Sequence, residues 1–177
     1  MRQEIEKKYL IREDGTEHAT PALRSLYITV EGVRRDILAN GKPIRQGYID
    51  TEEGKQIARR LGISFDFEPT EVRVRSKGDD YFFTLKGKGG LERNEAELQI
   101  TNQQFEELWP LTEGKRVEKV RLTVPYQGHN AEIDVYTDRD LIVAEVEVPT
   151  LEDAQKLVPL GLDVTEDPKY KNKNLAR

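Results

Sequence analysis

Arg73-Val74-Arg75 sets two guanidinium groups two residues apart with a valine between them, and the same arrangement recurs along the chain. In an extended segment, alternate side chains point to opposite faces. Glu4, Glu6 and Lys8 therefore share one face, with Ile5, Tyr9 and Ile11 mostly on the other. Val72 and Val74 lie behind Arg73 and Arg75, and Phe83 and Leu85 behind Lys86 and Lys88. Ala96 and Leu98 back Glu95 and Glu97, and Val120 and Leu122 back Lys119 and Arg121. Ile133 and Val135 back Glu132 and Asp134, and Ala144, Val146 and Val148 back Glu145 and Glu147. An ordinary wet sheet face mixes Thr, Ser, Gln and Asn among its charges. Repeated charged doublets instead fit a sheet whose apolar side packs outward and whose charged side faces an enclosed space. The fold expected is mainly β (α+β): a closed eight-stranded antiparallel β-barrel with a few helices packed outside. Charges on its inner face must be paired, hydrated or ligand-bound, because a buried unpaired charge is costly.

The strand segments read as 2–11, 44–50, 70–77, 81–88, 93–100, 115–126, 130–137 and 141–149, mostly joined as sequential hairpins. Gly78-Asp79-Asp80, Gly89-Gly90, Gln127-Gly128 and Thr137-Asp138 supply turns. Lys86-Gly87-Lys88-Gly89-Gly90 lacks the spacing of a phosphate-binding loop and joins two strands, so it reads as a hairpin turn. Thr20-Pro21 opens a helix, with Leu23, Leu26, Tyr27, Val30, Val33 and Ile37 at helical spacing and Asn40-Gly41 as its stop. The Ile28-Thr29-Val30 run weakens that helix. Shorter helices are expected over 51–61, capped at Thr51, over 102–109, starting at Asn102, and over 150–158. In the last, Thr150 and Asp153 form a variant capping box. Trp109 reads as core.

The 177 residues fit one domain, 1–177, with ample core. The net charge of −5 argues against nucleic acid as a partner. The absence of cysteine removes disulfides, zinc thiolates and thiol catalysis. His18 and His129 fall in polar, loop-like stretches, which disfavours a histidine metal site or a Ser-His-Asp triad. No apolar run is long enough to span a membrane, so the expected location is the cytoplasm, as a monomer or homodimer.

Clustered Arg and Lys suit a polyanion, since Arg grips phosphate oxygens in pairs. Clustered Glu and Asp without His or Cys suit a hard cation such as Mg²⁺ or Mn²⁺. A polyphosphate with its metal needs both sets, which points to metal-assisted phosphoryl chemistry with water as the attacking group. A module that only held phosphate would need the cations; the carboxylate pairs would repel its ligand unless a metal lay between.

The same residues carry a resemblance. Glu4-x-Glu6-x-Lys8 resembles the ExExK signature of the CYTH superfamily, the triphosphate tunnel metalloenzymes. Arg73-x-Arg75, Thr84-Leu85-Lys86, Glu95-x-Glu97, Lys119-x-Arg121, Asp134 and Glu145-x-Glu147 follow in family order. Val164-Thr165-Glu166-Asp167-Pro168-Lys169-Tyr170-Lys171-Asn172-Lys173 is similar to the closing motif of small bacterial members. The resemblance implies a tunnel that hydrolyses inorganic triphosphate (tripolyphosphate) to pyrophosphate and phosphate. Within it, Glu4, Glu6, Glu145 and Glu147 are expected to hold a catalytic metal. Glu95, Glu97 and Asp134 are expected to serve a second metal or orient the attacking water. Lys8, Arg73, Arg75, Lys86, Lys119 and Arg121 are expected to grip phosphates, and Lys171 to lie near the substrate. Glu132 and Lys88 share the right faces. Thiamine triphosphatase, nucleoside triphosphatase and a non-catalytic polyphosphate- or nucleotide-binding module are the alternatives. A class IV adenylyl cyclase fits less well, since Thr70-Glu71-Val72 replaces the His-Phe that usually precedes Arg-x-Arg.

Overall fold

The computed structural model describes residues 2–13, 16–17, 20–27 and 29–177. In chain order the elements are β1 (Arg2–Glu13), β2 (Thr16–Glu17), α1 (Pro21–Leu26), α2 (Val30–Asn40), β3 (Lys42–Ile49), α3 (Thr51–Arg60), β4 (Pro69–Lys77), β5 (Asp80–Gly87) and β6 (Glu92–Ile100). There follow α4 (Asn102–Leu108), a 3₁₀ turn (Trp109–Thr112), β7 (Arg116–Tyr126), β8 (His129–Tyr136), β9 (Leu141–Glu147), α5 (Leu151–Lys156), β10 (Leu162–Asp163), a second 3₁₀ turn (Pro168–Tyr170) and α6 (Asn172–Leu175). The hydrogen-bonded order is β10-β1-β6-β5-β4-β3-β7-β8-β9, and β9 also pairs with β1. β1 and β3 to β9 thus follow a cyclic order, that of a closed eight-stranded antiparallel β-barrel. β2 and β10 are two-residue additions beside β1. No helix among the described residues is long and apolar enough to cross a membrane.

The chain divides into two compact units. The first comprises Met1–Glu4, Ile44–Val117 and Pro168–Arg177; the second comprises Ile5–Pro43 and Glu118–Asp167. β1, β3 and β7 contribute residues to both.

In the first unit, β3 to β6 pair antiparallel in sequence order, with α3 between β3 and β4. Gly78, at φ +58°, opens the two-residue turn between Lys77 and Asp80, a conformation that strains any side-chain-bearing residue. The apolar face carries Val72, Val74, Phe83, Leu85 and Ala96, packed with Ile57 and Ala58 of α3 and Phe105 of α4. Trp109 stacks on Phe105 with ring centroids 5.1 Å apart. Arg45 and Arg116 lie over the Trp109 ring, so this core residue also holds two cations. Gly54 lets α3 sit on β4, since a Cβ there would come within 2.6 Å of Val72. Both helices start where expected, at Thr51 and at Asn102, but the cap of the first lies one residue earlier than expected. Asp50, not Thr51, caps α3, and Thr101 caps α4 in a capping box with Gln104.

In the second unit, β7, β8, β9 and most of β1 pair in order. Ile133, Val135, Ala144 and Val146 are buried, as are Val30, Val33 and Ile37 of α2, which packs against β8. The single helix expected from Thr20 to Asn40 is two. Tyr27 is already extended and ends α1; Thr29 caps α2 by accepting the Gly32 N–H. A threonine hydroxyl that can cap a new helix competes with helix continuation at that point. Thr150 caps α5 through the Asp153 N–H, and α5 stops at Lys156. His129 is the first residue of β8 rather than part of a loop. His18 lies outside the described residues.

Candidate active site

Alternation along β4, β5 and β6 puts Glu71, Arg73, Arg75, Thr84, Lys86, Glu95 and Glu97 on the face opposite the apolar core of the first unit. Lys86 is the hub. Its Nζ lies 2.8 Å from a Glu4 oxygen and 3.2 Å from Glu95. All three residues are under one-tenth exposed. Thr84 donates to Glu97 at 2.8 Å, while Arg73 and Arg75 approach the same carboxylate at 3.8 and 3.6 Å. Two further residues join the face. Glu71 is met by Arg93 at 3.4 Å. The same alternation, stepped back two residues from Arg73 and from Glu95, would have found both. Gln46 and Tyr48 of β3 stand opposite Arg75 and Arg73, and Gln46 donates to the Tyr48 hydroxyl at 2.8 Å. Nothing in the charge pattern marked those two. The Arg73 Nε and Gln46 Oε1 atoms are buried without a hydrogen-bond partner among the described residues. An unspent buried arginine donor is what an incoming oxyanion would satisfy.

Burial alone would raise the Glu95 carboxyl, but Lys86, Arg73 and Arg2 together outweigh it and bring its pKa down to about 2. The linkage follows from that direction. Glu95 stabilises the fold above its ordinary value of 4.5, and the contribution disappears as pH falls from there through about 2. Urea unfolding midpoints are expected to drop across that window, and to drop less in Glu95→Gln. An identical acid profile in both proteins would contradict the assignment.

The second unit carries its own charged array. Asp134 is fully buried. It accepts from Arg121 twice, at 2.6 and 2.8 Å, and its second oxygen lies 2.6 Å from Lys119 Nζ. Arg121 also pairs with Glu132 and reaches Glu145 at 3.4 Å; Lys8 reaches Glu145 at 3.8 Å. Burial pushes Lys119 down to about 8, with Arg121 adding to the effect and Asp134 opposing it. Burial also works to raise Asp134 and Glu145. Arg121 and Lys119 overcome it at Asp134, and Lys8, Arg121 and Lys119 hold Glu145 well below the usual carboxylate range.

The register brings Glu6 opposite Glu147 and Lys8 opposite Glu145, while Glu145 faces Glu132 on the next strand. This array therefore sets five carboxylates (Glu6, Glu132, Asp134, Glu145, Glu147) against Lys8, Lys119 and Arg121. The array of the first unit sets Glu4, Glu71, Glu95 and Glu97 against Arg73, Arg75, Lys86 and Arg93. The acidic excess of the second unit, all oxygen donors, has the chemistry a hard divalent cation requires. No group of three or more His, Cys, Asp or Glu is already gathered as a metal cluster among the described residues.

An inorganic triphosphatase of Nitrosomonas europaea is 38% identical to this chain, over 98% of the chain and 96% of that protein. The chain belongs to the CYTH-type inorganic triphosphatases. An inorganic triphosphatase of Acetivibrio thermocellus is 31% identical over 100% of the chain and 95% of that protein. The crystal structure of an inorganic triphosphatase aligns over 99% of the chain with a TM-score of 0.55 and 34% identity. A putative adenylyl cyclase from Hippeastrum, described as having a dominant triphosphatase activity, shares the fold at 15% identity, with a TM-score of 0.51 over 86% of the chain. No family model matches the chain.

Set against the residues expected for this family, the first unit holds Glu4, Arg73, Arg75, Lys86, Glu95 and Glu97 on one charged face. The second unit holds Lys8, Lys119, Arg121, Asp134, Glu145 and Glu132 likewise, with Glu6 in register beside them. Glu147 is the exposed last residue of β9. Lys88 does not share the face of Lys86: β5 ends at Gly87, and Lys88 is exposed beyond it. The Gly89-Gly90 stretch is a turn between strands, as its lack of phosphate-loop spacing implied.

Proposed function

We propose that the whole chain, residues 1–177, acts as one catalytic domain that hydrolyses inorganic triphosphate to pyrophosphate and phosphate, with Mg²⁺ or Mn²⁺ required. The observation that carries this reading is that the chain holds both a charged face with an unspent buried arginine donor, in the first unit, and an array whose carboxylates outnumber its cations, in the second. Arg73, Arg75 and Lys86 of the first unit, with Lys8, Lys119 and Arg121 of the second, bind the phosphate oxygens and offset charge that develops on them. Glu6, Glu145 and Glu147, with Glu4, hold the divalent ion. When bound, it polarises a phosphoryl oxygen and lowers the pKa of water. Glu95, Glu97 and Asp134 orient the attacking water or hold a second ion. Asp134 also keeps Arg121 and Lys119 aimed, through the contacts described above. The chain is 38% and 31% identical to two inorganic triphosphatases over nearly its full length, which supports the same substrate here.

The test is phosphate release from inorganic triphosphate, ATP, thiamine triphosphate and pyrophosphate, each with Mg²⁺, Mn²⁺ or EDTA. Metal-dependent release from triphosphate far above the others is expected. Binding without release from any of them would make the chain a polyphosphate-binding module instead.

Arg73→Ala is expected to raise the KM for triphosphate about 10- to 100-fold, the value of one or two charge-assisted hydrogen bonds. An unchanged KM would remove this strand face from the phosphate site.

A further inference from the structure

Arg12 is turned out of the alternation that places Glu4, Glu6 and Lys8 on one face. β1 carries one extra residue between Leu10 and Arg12, so Arg12 stands opposite Ile142, which pairs in turn with Val135. That is the face opposite Asp134 and Glu145, and an extra residue in a strand re-aims a side chain in this way. Along α2, Val30, Val33 and Ile37 are buried, and Glu31, Arg34 and Leu38 form the adjacent stripe at the same spacing. Arg12, this stripe, Val135 and the turn residues Arg139 and Asp140 line a cavity of about 670 Å³ in the second unit. It shares no residue with either charged array.

Two guanidinium groups converge there. Arg12 and Arg34 both pair with Glu31, Arg34 at 3.7 Å, and both pair with Asp140, Arg12 Nε at 3.6 Å. Both arginines are mostly buried, whereas Glu31 is more than half exposed. The Arg12 Nε atom is buried without a hydrogen-bond partner among the described residues, since 3.6 Å is too long for one. Arg139 is paired with Asp138 at 2.9 Å and leaves the fork to the other two. Two held guanidinium groups aimed at one loosely held carboxylate suit an oxyanion, and Glu31 is the side chain that occupies the place. Giving way costs Glu31 little, because its carboxylate already stands largely in water. An ion-pair clamp that served packing alone would leave no such space beside it. The hollow is far larger than one phosphate, and Val135 with the half-exposed Leu38 gives it an apolar wall.

We infer that this cavity binds an organic phosphate, a phosphomonoester whose phosphate displaces Glu31 between Arg12 and Arg34 and whose carbon end rests on Leu38. Asp140, the second shared partner, keeps both arginines aimed after Glu31 leaves. The site stands independently of turnover at the charged arrays.

The experiment is isothermal titration calorimetry of the full chain with adenosine 5′-monophosphate, without metal, and with orthophosphate as the second probe. Glu31→Gln removes the internal competitor and is expected to tighten the nucleotide about two- to fivefold, a gain that misfolding cannot produce. Glu152→Gln makes the same charge change at an exposed position elsewhere and is expected to leave the affinity unchanged. Arg34→Gln is expected to weaken binding more than about tenfold. Leu38→Gln is expected to weaken the nucleotide and leave orthophosphate unaffected. Arg73→Ala, on the charged face of the first unit, is expected to retain the event. No binding to the parent or to Glu31→Gln overturns the inference, as does looser binding in Glu31→Gln or equal tightening in Glu152→Gln. Loss in Arg73→Ala but not in Arg34→Gln overturns it by placing the nucleotide on the charged face. Orthophosphate bound as tightly as the nucleotide overturns it too, since the apolar wall would then play no part.

Discussion

Glu6→Gln is expected to leave the fold intact and to lower metal-dependent phosphate release from triphosphate by at least about 100-fold. The substitution keeps the shape of the side chain and removes one negative charge. Glu6 is partly exposed and stands opposite Glu147 where β1 meets β9, so neither a cavity nor a buried unpaired charge results. A metal ligand of hard-oxygen type loses most of its value when its charge goes, and losses of this order follow when one preorganised electrostatic contact to a reacting phosphoryl group disappears. Circular dichroism and the urea midpoint should match the parent, while raising Mn²⁺ restores part of the rate. Unchanged turnover at limiting metal would remove Glu6 from the site.

Asp134→Ala should have the largest effect on stability, about 3–5 kcal/mol, read from urea unfolding. Asp134 is the shared partner of Lys119 and Arg121, and all three are buried. Losing it takes the carboxylate partner from Lys119 and the doubly bonded one from Arg121, which keeps Glu132 and Glu145, and Lys119, already at about 8, should fall further as its counter-ion goes. Asp134→Ala combined with Lys119→Met should recover part of the loss, because one stranded charge is then gone. A cost below about 1 kcal/mol for the single variant would mean that water or a neighbour compensates Lys119 and that Glu132 and Glu145 suffice for Arg121.

Much of this was legible from alternation alone. Val72-Arg73-Val74-Arg75 and Glu95-Ala96-Glu97 specify a two-faced strand so strongly that their register follows. A one-residue slip would bury guanidinium groups in the core beside Phe105 and expose valines. The break in the 20–40 helix was not fixed, because apolar spacing runs through it and a single hydroxyl at Thr29 decides where the second helix starts. The cap of α3 was misplaced by one residue for the same reason: Asp50 outcompetes Thr51 by accepting the Glu52 and Glu53 N–H groups. Gln46 and Tyr48 stayed invisible because a neutral amide and a phenol carry no charge pattern, and their place on the face follows only from the pairing of β3 with β4. Lys88 was placed by extending a strand one residue too far, and its true surroundings involve the chain terminus, which periodicity cannot reach.

Lys86 is held by Glu4 and Glu95, and Glu97 draws on Thr84, Arg73 and Arg75 together. Such a face resembles a set of locks already closed with their own keys. Apart from the unspent Arg73 Nε, the cations a ligand meets there are already engaged. It has to trade places with carboxylates that are themselves buried, and each one set aside must find a new counter-charge at the same moment. A lone phosphate displaces one partner and leaves the rest of the network in its way. A longer anion accompanied by divalent cations offers the cations new acceptors and the carboxylates new partners in one concerted exchange. Under the proposed function, such an exchange favours a longer anion over a single phosphate without any wall at the end of the pocket.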